Sequence, residues 1–241
     1  MTGNIRILGR LIVARGNGVL ERLAVERKRF DGRVQSLNRE IYDPGDGAAI
    51  LLYDPGRSRV VLVRQFRLPT FLKDRRESLI EVCAGRLDGE NAETRIVNEA
   101  EEETGFMVRH TLRVFAAYMS PGDFGEKLTF FVAQYRADED PTGKDGGVVR
   151  EDQDIEILEP TLDEALAMIS TGEIVDAKTI LLLHYAELAG LLRGGGFYAV
   201  VNGQLAKVQA RLRPPQAPPR MPPDRSRHPP LLPAIRTSPA R

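Results

Sequence analysis

Residues 85–106 decide the fold prediction, and they read Gly85-Arg86-Leu87-Asp88-Gly89-Glu90-Asn91-Ala92-Glu93-Thr94-Arg95-Ile96-Val97-Asn98-Glu99-Ala100-Glu101-Glu102-Glu103-Thr104-Gly105-Phe106. With Asn91 as its N-terminal cap and Gly105 as its stop, the stretch predicts a helix of about three and a half turns. Glu99 then lies one turn before Glu102 and Glu103, so three carboxylates share one face. Like charges at that spacing oppose helix formation by about 0.2–0.5 kcal/mol per pair. A divalent cation would turn this repulsion into ligation, because hard cations such as Mg2+ take oxygen ligands.

The segment before this helix weighs against the simpler interpretation, which is a solvated acidic helix face. Residues 78–84 form a strand-like apolar run that leads straight into Gly85. A strand, a glycine loop and a carboxylate-rich helix in succession would allow a backbone oxygen and side-chain oxygens to bind one metal ion.

The composition argues against several classes of protein. The chain has 241 residues with 34 basic and 34 acidic side chains, and its pI is about 6.9. This balance argues against a nucleic-acid or general polyanion binder, and no apolar run approaches transmembrane length, so we expect no membrane partner. Cys83 is the one cysteine, which excludes an internal disulfide and a cysteine zinc site. Because no signal peptide is recognisable, a cytoplasmic location is expected.

The sequence predicts β-structure before the helix and a mixture of strands and helices after it. Strands are predicted at 5–14, 20–28, 34–42, 48–53, 60–66, 114–118, 128–135 and 155–158. Asp31-Gly32 is a hairpin signal between the second and third strands. Two further helices are predicted, at 162–171 after a cap at Thr161 and at 177–193. These elements favour an α/β (α+β) fold, with a mixed sheet between helices and an N-terminal antiparallel β subdomain.

Three regions follow from this pattern. Residues 1–44 form the N-terminal β subdomain, which we expect to serve dimerisation and substrate binding, residues 45–193 form the main domain, and residues 194–241 form a flexible tail. From about residue 212 the tail is rich in proline pairs and arginines, cannot bury a core, and is expected to be disordered or to sample polyproline II. A ligand for a module that reads PxxP motifs is the alternative role for it.

The helix and its flanks resemble the Nudix box, G-x5-E-x7-R-E-U-x-E-E-x-G-U, in which U is a bulky apolar residue. The C-terminal half of the box fits Glu99, Glu102, Glu103, Gly105 and Phe106. The resemblance implies a Nudix fold and a metal-dependent hydrolase that cleaves a pyrophosphate.

The resemblance extends over about residues 5–190 and indicates one branch of the family. Four segments look like the ADP-ribose/GDP-mannose pyrophosphatase branch: residues 39–43, 63–67, 119–122 and 171–174. Three more are most similar to the GDP-mannose pyrophosphatases: residues 83–85, 176–179 and 181–183. Hydrolysis of a nucleoside-diphosphate sugar is therefore implied, with GDP-mannose, cleaved to GMP and mannose 1-phosphate, as the leading substrate and ADP-ribose as the alternative.

The resemblance also implies a metal site and a catalytic set. The ion would be Mg2+, with Mn2+ as the alternative, and its ligands would be the Ala84 carbonyl, Glu99, Glu103 and the residue at position 153. Glu102 is a weaker candidate, as a ligand or as an acceptor beside one. The catalytic set is thus Glu99, Glu102, Glu103 and Gln153.

Substrate contacts are implied in the same way, although each of these charges alone is more often a surface charge. The positions are Asn38, Arg39, Glu40, Arg67, Gly85, Arg86, Glu103, Glu126 and Lys178. In relatives the N-terminal strands cross to a second subunit, so a homodimer is implied in which residues 38–40 reach the neighbouring site. The loop bounded by Gly122 and Gly125 is expected to be flexible enough to close over the substrate.

Three departures from the family pattern bear on activity. Counted from Gly85, the first glutamate of the box falls at Asn91, and the arginine or lysine before Glu99 falls at Asn98, so a salt bridge that steadies the loop is replaced by two amides. Asn91 is instead suited to cap the helix. Gln153 stands where the family has a glutamate, and a neutral amide cannot accept a proton at neutral pH. A catalytically weakened nucleotide-sugar binding module is therefore the competing hypothesis.

Overall fold

The computed structural model describes residues 4–137 and 154–192, which fold into two β-sheets and four α-helices. The strands are β1 (Ile5–Arg15), β2 (Val19–Lys28), β3 (Val34–Asp43), β4 (Gly47–Asp54), β5 (Arg59–Phe66), β6 (Ser78–Glu81), β7 (Cys83–Arg86), β8 (Arg109–Tyr118), β9 (Lys127–Gln134) and β10 (Ile155–Leu158). The helices are α1 (Leu68–Asp74), α2 (Ala92–Thr104), α3 (Leu162–Thr171) and α4 (Ala177–Ala189). Residue 153 and the predicted tail lie outside the described residues.

The first three strands form an antiparallel sheet in the order β1-β2-β3, which confirms the predicted N-terminal β-structure. Gly32 adopts a φ of +85° at the predicted hairpin, a conformation that glycine reaches without steric cost. Beside it, the Asp31 carboxylate accepts hydrogen bonds from the Arg33 backbone and guanidinium. Every residue of β1 is exposed, and among the described residues this edge strand pairs with β2.

The second sheet has seven strands, and β4 at its centre separates two hydrophobic cores. Along its main path the order is β10-β5-β4-β9-β8, with β4 and β9 parallel. Side chains of β4 alternate: Ala49 and Leu51 pack in one core with α3 and α4, whereas Ala48 and Ile50 pack in the other with α2. A mixed sheet between helices was predicted, and it is confirmed.

The predicted single strand at 78–84 is in fact two strands that switch partner. Strand β6 pairs with β5, and β7 pairs with β4, so the chain crosses at Val82 from one neighbour to the other. At that crossing the buried Val82 N–H donates to the Oγ1 of Thr179 in α4, at 2.9 Å. The switch therefore depends on a side chain 97 residues further along the chain.

Helix α1 was not predicted, and its position explains why. It has no buried residues, so it lacks the apolar face that produces a helical pattern in the sequence. Pro69 lies in its first turn, where a missing N–H costs nothing. The helix ends at Arg75, which adopts an αL conformation at a φ of 59° without being glycine.

Two predicted boundaries were wrong. Strand β8 begins at Arg109 rather than at Val114, because it continues through two register shifts against β9. Helix α4 ends at Ala189, before the predicted residue 193, since Gly190 takes the αL conformation and its N–H bonds back to the last turn. In both cases the core contacts of the element are those expected.

Within residues 4–137 and 154–192, none of the helices has the length and apolarity that a membrane span requires.

Thr179→Val tests the strand switch. Valine has nearly the same shape as threonine but no hydroxyl, so the buried N–H of Val82 would lose its acceptor at a site with no solvent exposure. We expect the free energy of unfolding to fall by about 1–3 kcal/mol in urea denaturation. Thr179→Ser keeps the hydroxyl and is the matched control, and equal losses in both variants would contradict this role of the hydrogen bond.

Candidate active site

A cavity with a volume of about 350 Å3 opens beside β7, between the end of β5 and the start of α4. It brings together six residues singled out from the sequence: Arg67, Ala84, Gly85, Arg86, Glu126 and Lys178. Its other lining residues were not predicted, and they are Gly47, Ala48, Met119, Leu128 and Asp176. The cavity is thus formed where the switching strand β6–β7 meets α4.

The carboxylates of α2 lie directly behind the cavity wall. Glu99 is 9% exposed, and a Cβ added to Gly85 would come within 3.1 Å of its Cδ atom. Glycine at position 85 therefore allows β7 to pass close to the acidic helix. Glu103, one turn further on, has its Oε2 atom buried without a hydrogen-bond partner among the described residues.

Glu103 has a strongly altered acidity. Burial, and after it the negative charge of Glu99, raise the pKa of its carboxyl from 4.5 to about 7. The positive charge of Arg67 acts in the opposite direction. Burial also raises the pKa of the Cys83 thiol beside it, so that thiol stays protonated. This is a site of concentrated, poorly solvated negative charge.

The third predicted carboxylate, Glu102, is exposed, whereas Glu99 is buried and Glu103 is largely buried. The three side chains predicted to share one face thus differ in exposure: Glu99 and Glu103 are four residues apart and face the strand, while Glu102 lies at the solvent side. Glu102 and Glu103 are consecutive, so their side chains leave the helix about 100° apart.

Arg95 compensates for the missing salt bridge of the box. Asn91 caps α2, as predicted, by accepting hydrogen bonds from the backbone N–H groups of Glu93 and Thr94. Arg95 pairs with Glu99 at 2.5 Å and donates to the carbonyl of Arg86 at 3.3 Å. Arg95, in the first turns of α2, therefore links this helix to the end of β7 at Arg86.

Two of the residues that line the cavity are cations held by carboxylates. Glu81, which is 2% exposed, accepts from the Arg67 Nε atom at 2.7 Å and from the Lys178 Nζ atom at 2.7 Å. Lys178 also donates to Asp176 at 2.8 Å. Asp176 in turn caps α4 by accepting from the backbone and hydroxyl of Thr179.

Glu126 enters the cavity from a loop that is fastened to β3. The Tyr42 N–H donates to the carbonyl of Asp123, and the Gly125 N–H donates to the carbonyl of Tyr42, both at 2.9 Å. A Cβ at Gly125 would come within 3.2 Å of Asp43, so glycine allows this close approach. These bonds join the loop to the first sheet, and its closing over substrate stays a prediction.

Arg86 connects the cavity to the first turn of the chain. Its guanidinium donates to the carbonyl of Asn17 at 2.6 Å and pairs with Asp88 at 3.2 Å. These contacts fix the orientation of a side chain that was predicted to bind substrate.

The cavity does not include residues 38–40. Asn38, Arg39 and Glu40 are exposed on β3, where Glu40 pairs with Arg22 at 2.5 Å. Within one chain they are therefore not brought to the cavity, and their predicted contact from a second subunit stays a prediction. Gln153 lies outside the described residues, and its predicted role at the metal stays a prediction.

The buried carboxylates suit a divalent cation. A search of the described residues finds no group of three or more His, Cys, Asp or Glu side chains arranged around one point. The side-chain donors are therefore two, Glu99 and Glu103, and the strand carrying Ala84 could add a backbone oxygen. The buried Glu103 Oε2 and the raised pKa of that carboxyl are what a cation would relieve.

Sequence reasoning missed Glu81, Arg95 and Asp176. Glu81 carried a signal, because a carboxylate inside an apolar strand run is buried only when it is paired. Asp176 carried one too, as an aspartate just before a predicted helix. Arg95 carried none beyond its four-residue spacing from Glu99.

Glu103→Gln tests the buried charge. Because the folded-state pKa of Glu103 is raised, its protonated form stabilises the fold below about pH 4.5, and that contribution is lost as the pH rises through about 7. Without divalent ions, we expect the variant to be more stable than wild type at pH 8 by about 1–3 kcal/mol, and nearly equal to it at about pH 4. Urea unfolding at both pH values measures this.

Glu164→Gln is the control for that prediction. Backbone and side-chain hydrogen bonds with Thr161 lower the pKa of Glu164, so this substitution should weaken the fold at pH 8 rather than strengthen it. A Glu103→Gln variant that is no more stable than wild type at pH 8 would contradict the proposed burial of charge.

Comparison with known proteins gives consistent results. The model of the NUDIX domain family matches residues 43–182. The chain is 46% identical over 178 residues to a GDP-mannose pyrophosphatase of Pectobacterium atrosepticum, a match that covers 73% of this chain and 91% of the relative. It is 43% identical over 193 residues to a GDP-mannose pyrophosphatase of Shigella flexneri, covering 80% of this chain and all of the relative.

A solved structure shares the fold. A crystal structure of an ADP compounds hydrolase superposes with a TM-score of 0.59 at 18% identity, over 79% of this chain and 97% of that one. The family match spans more than half of the chain, and the relatives are similar over nearly their whole length. This chain therefore belongs to the Nudix hydrolase family.

Proposed function

We propose that this protein hydrolyses the pyrophosphate of a nucleoside-diphosphate sugar in a Mg2+-dependent reaction, most readily GDP-mannose to GMP and mannose 1-phosphate. One observation carries the proposal: a single cavity is lined by two cationic side chains, Arg67 and Lys178, and by Gly85, which lies against the buried carboxylate Glu99. Relatives at 43–46% identity bear the name GDP-mannose pyrophosphatase, which supports the choice of substrate.

The residues divide the chemistry between two walls. Glu99 and Glu103, with the Ala84 carbonyl, would hold Mg2+ or Mn2+, which neutralises phosphate charge and lowers the pKa of bound water. Arg67 and Lys178 would bind phosphate oxygens and keep the pyrophosphate in line for attack. Glu126, whose pKa is raised by burial, would lie near the sugar or nucleotide end from the opposite loop.

A homodimer completes the proposed site. Strand β1 is exposed along its whole length and carries six large apolar side chains: Ile5, Ile7, Leu8, Leu11, Ile12 and Val13. An exposed apolar edge strand of this length is a surface that proteins normally cover. Covering it with a second copy would allow Asn38, Arg39 and Glu40 to reach the partner's cavity. The N-terminal β subdomain, residues 1–44, would then serve both dimerisation and substrate binding.

The competing candidates are hydrolysis of ADP-ribose and binding without hydrolysis. ADP-ribose also carries a pyrophosphate, and the solved neighbour is an ADP compounds hydrolase. Binding without hydrolysis is favoured by Gln153, which cannot serve as a base. A cytoplasmic location remains part of the proposal, because a protein with one cysteine gains no disulfide from an oxidising compartment.

Turnover assays test the proposed reaction. Pure protein with Mg2+ should release GMP from GDP-mannose, and release AMP from ADP-ribose at a lower kcat/KM. Glu99→Gln and Glu103→Gln should each lower kcat by at least about a hundredfold, because each removes a metal ligand. Absence of nucleoside monophosphate from either substrate would end the enzyme proposal.

Gln153→Glu separates a slow enzyme from a binding module. If Gln153 replaces a base, the variant should hydrolyse GDP-mannose about 100- to 1,000-fold faster than wild type. Calorimetry on the wild type gives the other arm: tight binding, with the ligand recovered intact and no gain in the variant, would favour the binding module.

Light scattering tests the dimer. We expect a particle of twice the chain mass of 26.8 kDa, and Leu11→Arg, which places a charge on the apolar edge strand, should shift it toward the monomer. Val34→Arg is the matched control on β3, where an equally exposed apolar side chain is replaced. A monomer mass for the wild type would refute the dimer.

A further inference from the structure

Glu81 lies behind the cavity and does not line it. It is 2% exposed, yet both of its oxygens are in use: Oε2 accepts from Arg67 and Oε1 accepts from Lys178, each at 2.7 Å. A buried carboxylate is costly unless it is paired and hydrogen-bonded. Glu81 meets that condition through two side chains that do line the cavity.

The two cations differ in how many anchors they have. Lys178 is held by Glu81 and also by Asp176, at 2.8 Å. Arg67 has one ion pair among the described residues, with Glu81. Its side chain is 37% exposed, compared with 13% for Lys178, so without that pair it has the freedom to move into solvent. Glu81 therefore controls Arg67 more strongly than it controls Lys178.

The backbone places Glu81 where it can orient Arg67. Glu81 pairs with Val63 across the β5–β6 ladder, and Arg67 follows the end of β5, where its N–H donates to the carbonyl of Glu77. Two carboxylates, Glu81 and Asp176, hold the two cations in ion pairs. Substrate phosphates would thus meet cations that are already fixed in place, which reduces the entropy lost on binding.

We propose that Glu81 is a positioning residue that aims the Arg67 guanidinium at the phosphate groups of the substrate. The proposal rests on the pyrophosphatase function proposed above. Glu81 touches no substrate itself and acts through Arg67. A phosphate contact that is equal in the ground state and the transition state changes KM and leaves kcat nearly unchanged.

Glu81→Gln is the direct test. The amide keeps one acceptor oxygen but turns an NH2 group toward the other cation, and two donors cannot bond to each other. Because Lys178 keeps Asp176, Arg67 is the side chain that is released. We expect KM for GDP-mannose to rise about tenfold, with kcat changed by less than about threefold.

A double-mutant cycle shows whether Glu81 acts through Arg67. Arg67→Ala alone should raise KM by a similar or larger factor, and adding Glu81→Gln to it should raise KM by less than about twofold. If the two effects multiply instead, Glu81 acts independently of Arg67 and the proposal is overturned.

Glu159→Gln is the matched control. Glu159 pairs with Arg57 and accepts from the Tyr135 hydroxyl at 2.6 Å. It follows Leu158, which pairs with Leu62 across the β5–β10 ladder, so it lies roughly 20 Å along β5 from Arg67. We expect this substitution to lower stability while KM stays within about twofold of wild type. A tenfold rise in KM here would mean that KM reports general loosening, which would overturn the proposal.

Two further arms keep the test decisive. If Glu81→Gln shows no cooperative unfolding transition, Glu81→Asp replaces it in the test. Aspartate keeps the negative charge but holds it about one methylene group further from Arg67. A wild-type KM in Glu81→Asp would overturn the proposal. If wild type binds GDP-mannose without hydrolysing it, the proposed function fails alone, and dissociation constants from calorimetry replace KM in the same cycle. If wild type neither binds nor hydrolyses it, both proposals fail.

Discussion

The site depends on two like charges that the fold holds out of water. Glu99 and Glu103 lie one helical turn apart, beneath a strand that can approach them closely because residue 85 is glycine. Repulsion between them and loss of hydration together raise the pKa of Glu103 to about 7. In the proposed function, a cation bound between them would relieve this electrostatic cost.

The rest of the main sheet holds β7 in place beside α2, the helix that carries Glu99 and Glu103. Strand β4 is buried on both faces, so it cannot shift without disturbing two cores at once. The crossing at Val82 then carries the chain from β5 to β4 and is satisfied by Thr179. Because Thr179 and Lys178 are neighbours in α4, the hydrogen bond that completes the backbone also sets the position of one cavity cation.

Local patterns were sufficient for the acidic helix, its caps at Asn91 and Gly105, and the layered fold, because all of these arise from spacings of a few residues. They were insufficient for the role of Glu81: the apolar strand run around it indicates a paired carboxylate, but its partner in α4 is 97 residues away. Arg67 and Lys178 were found through family resemblance and not through any local pattern. Helix α1 was missed because its side chains bury nothing.

The attachment of the loop at Asp123 to Tyr42 has a consequence for how this protein can be divided. Two backbone hydrogen bonds join the first sheet to the segment that presents Glu126, and Arg86 reaches across to Asn17 from the other side. The first 44 residues therefore support the rim of the candidate cavity through these hydrogen bonds, and they also form an outer surface of the protein. A shortened protein that begins at β4 would keep both hydrophobic cores yet leave the rim of its cavity unsupported, so the smallest folded unit and the smallest working unit are different.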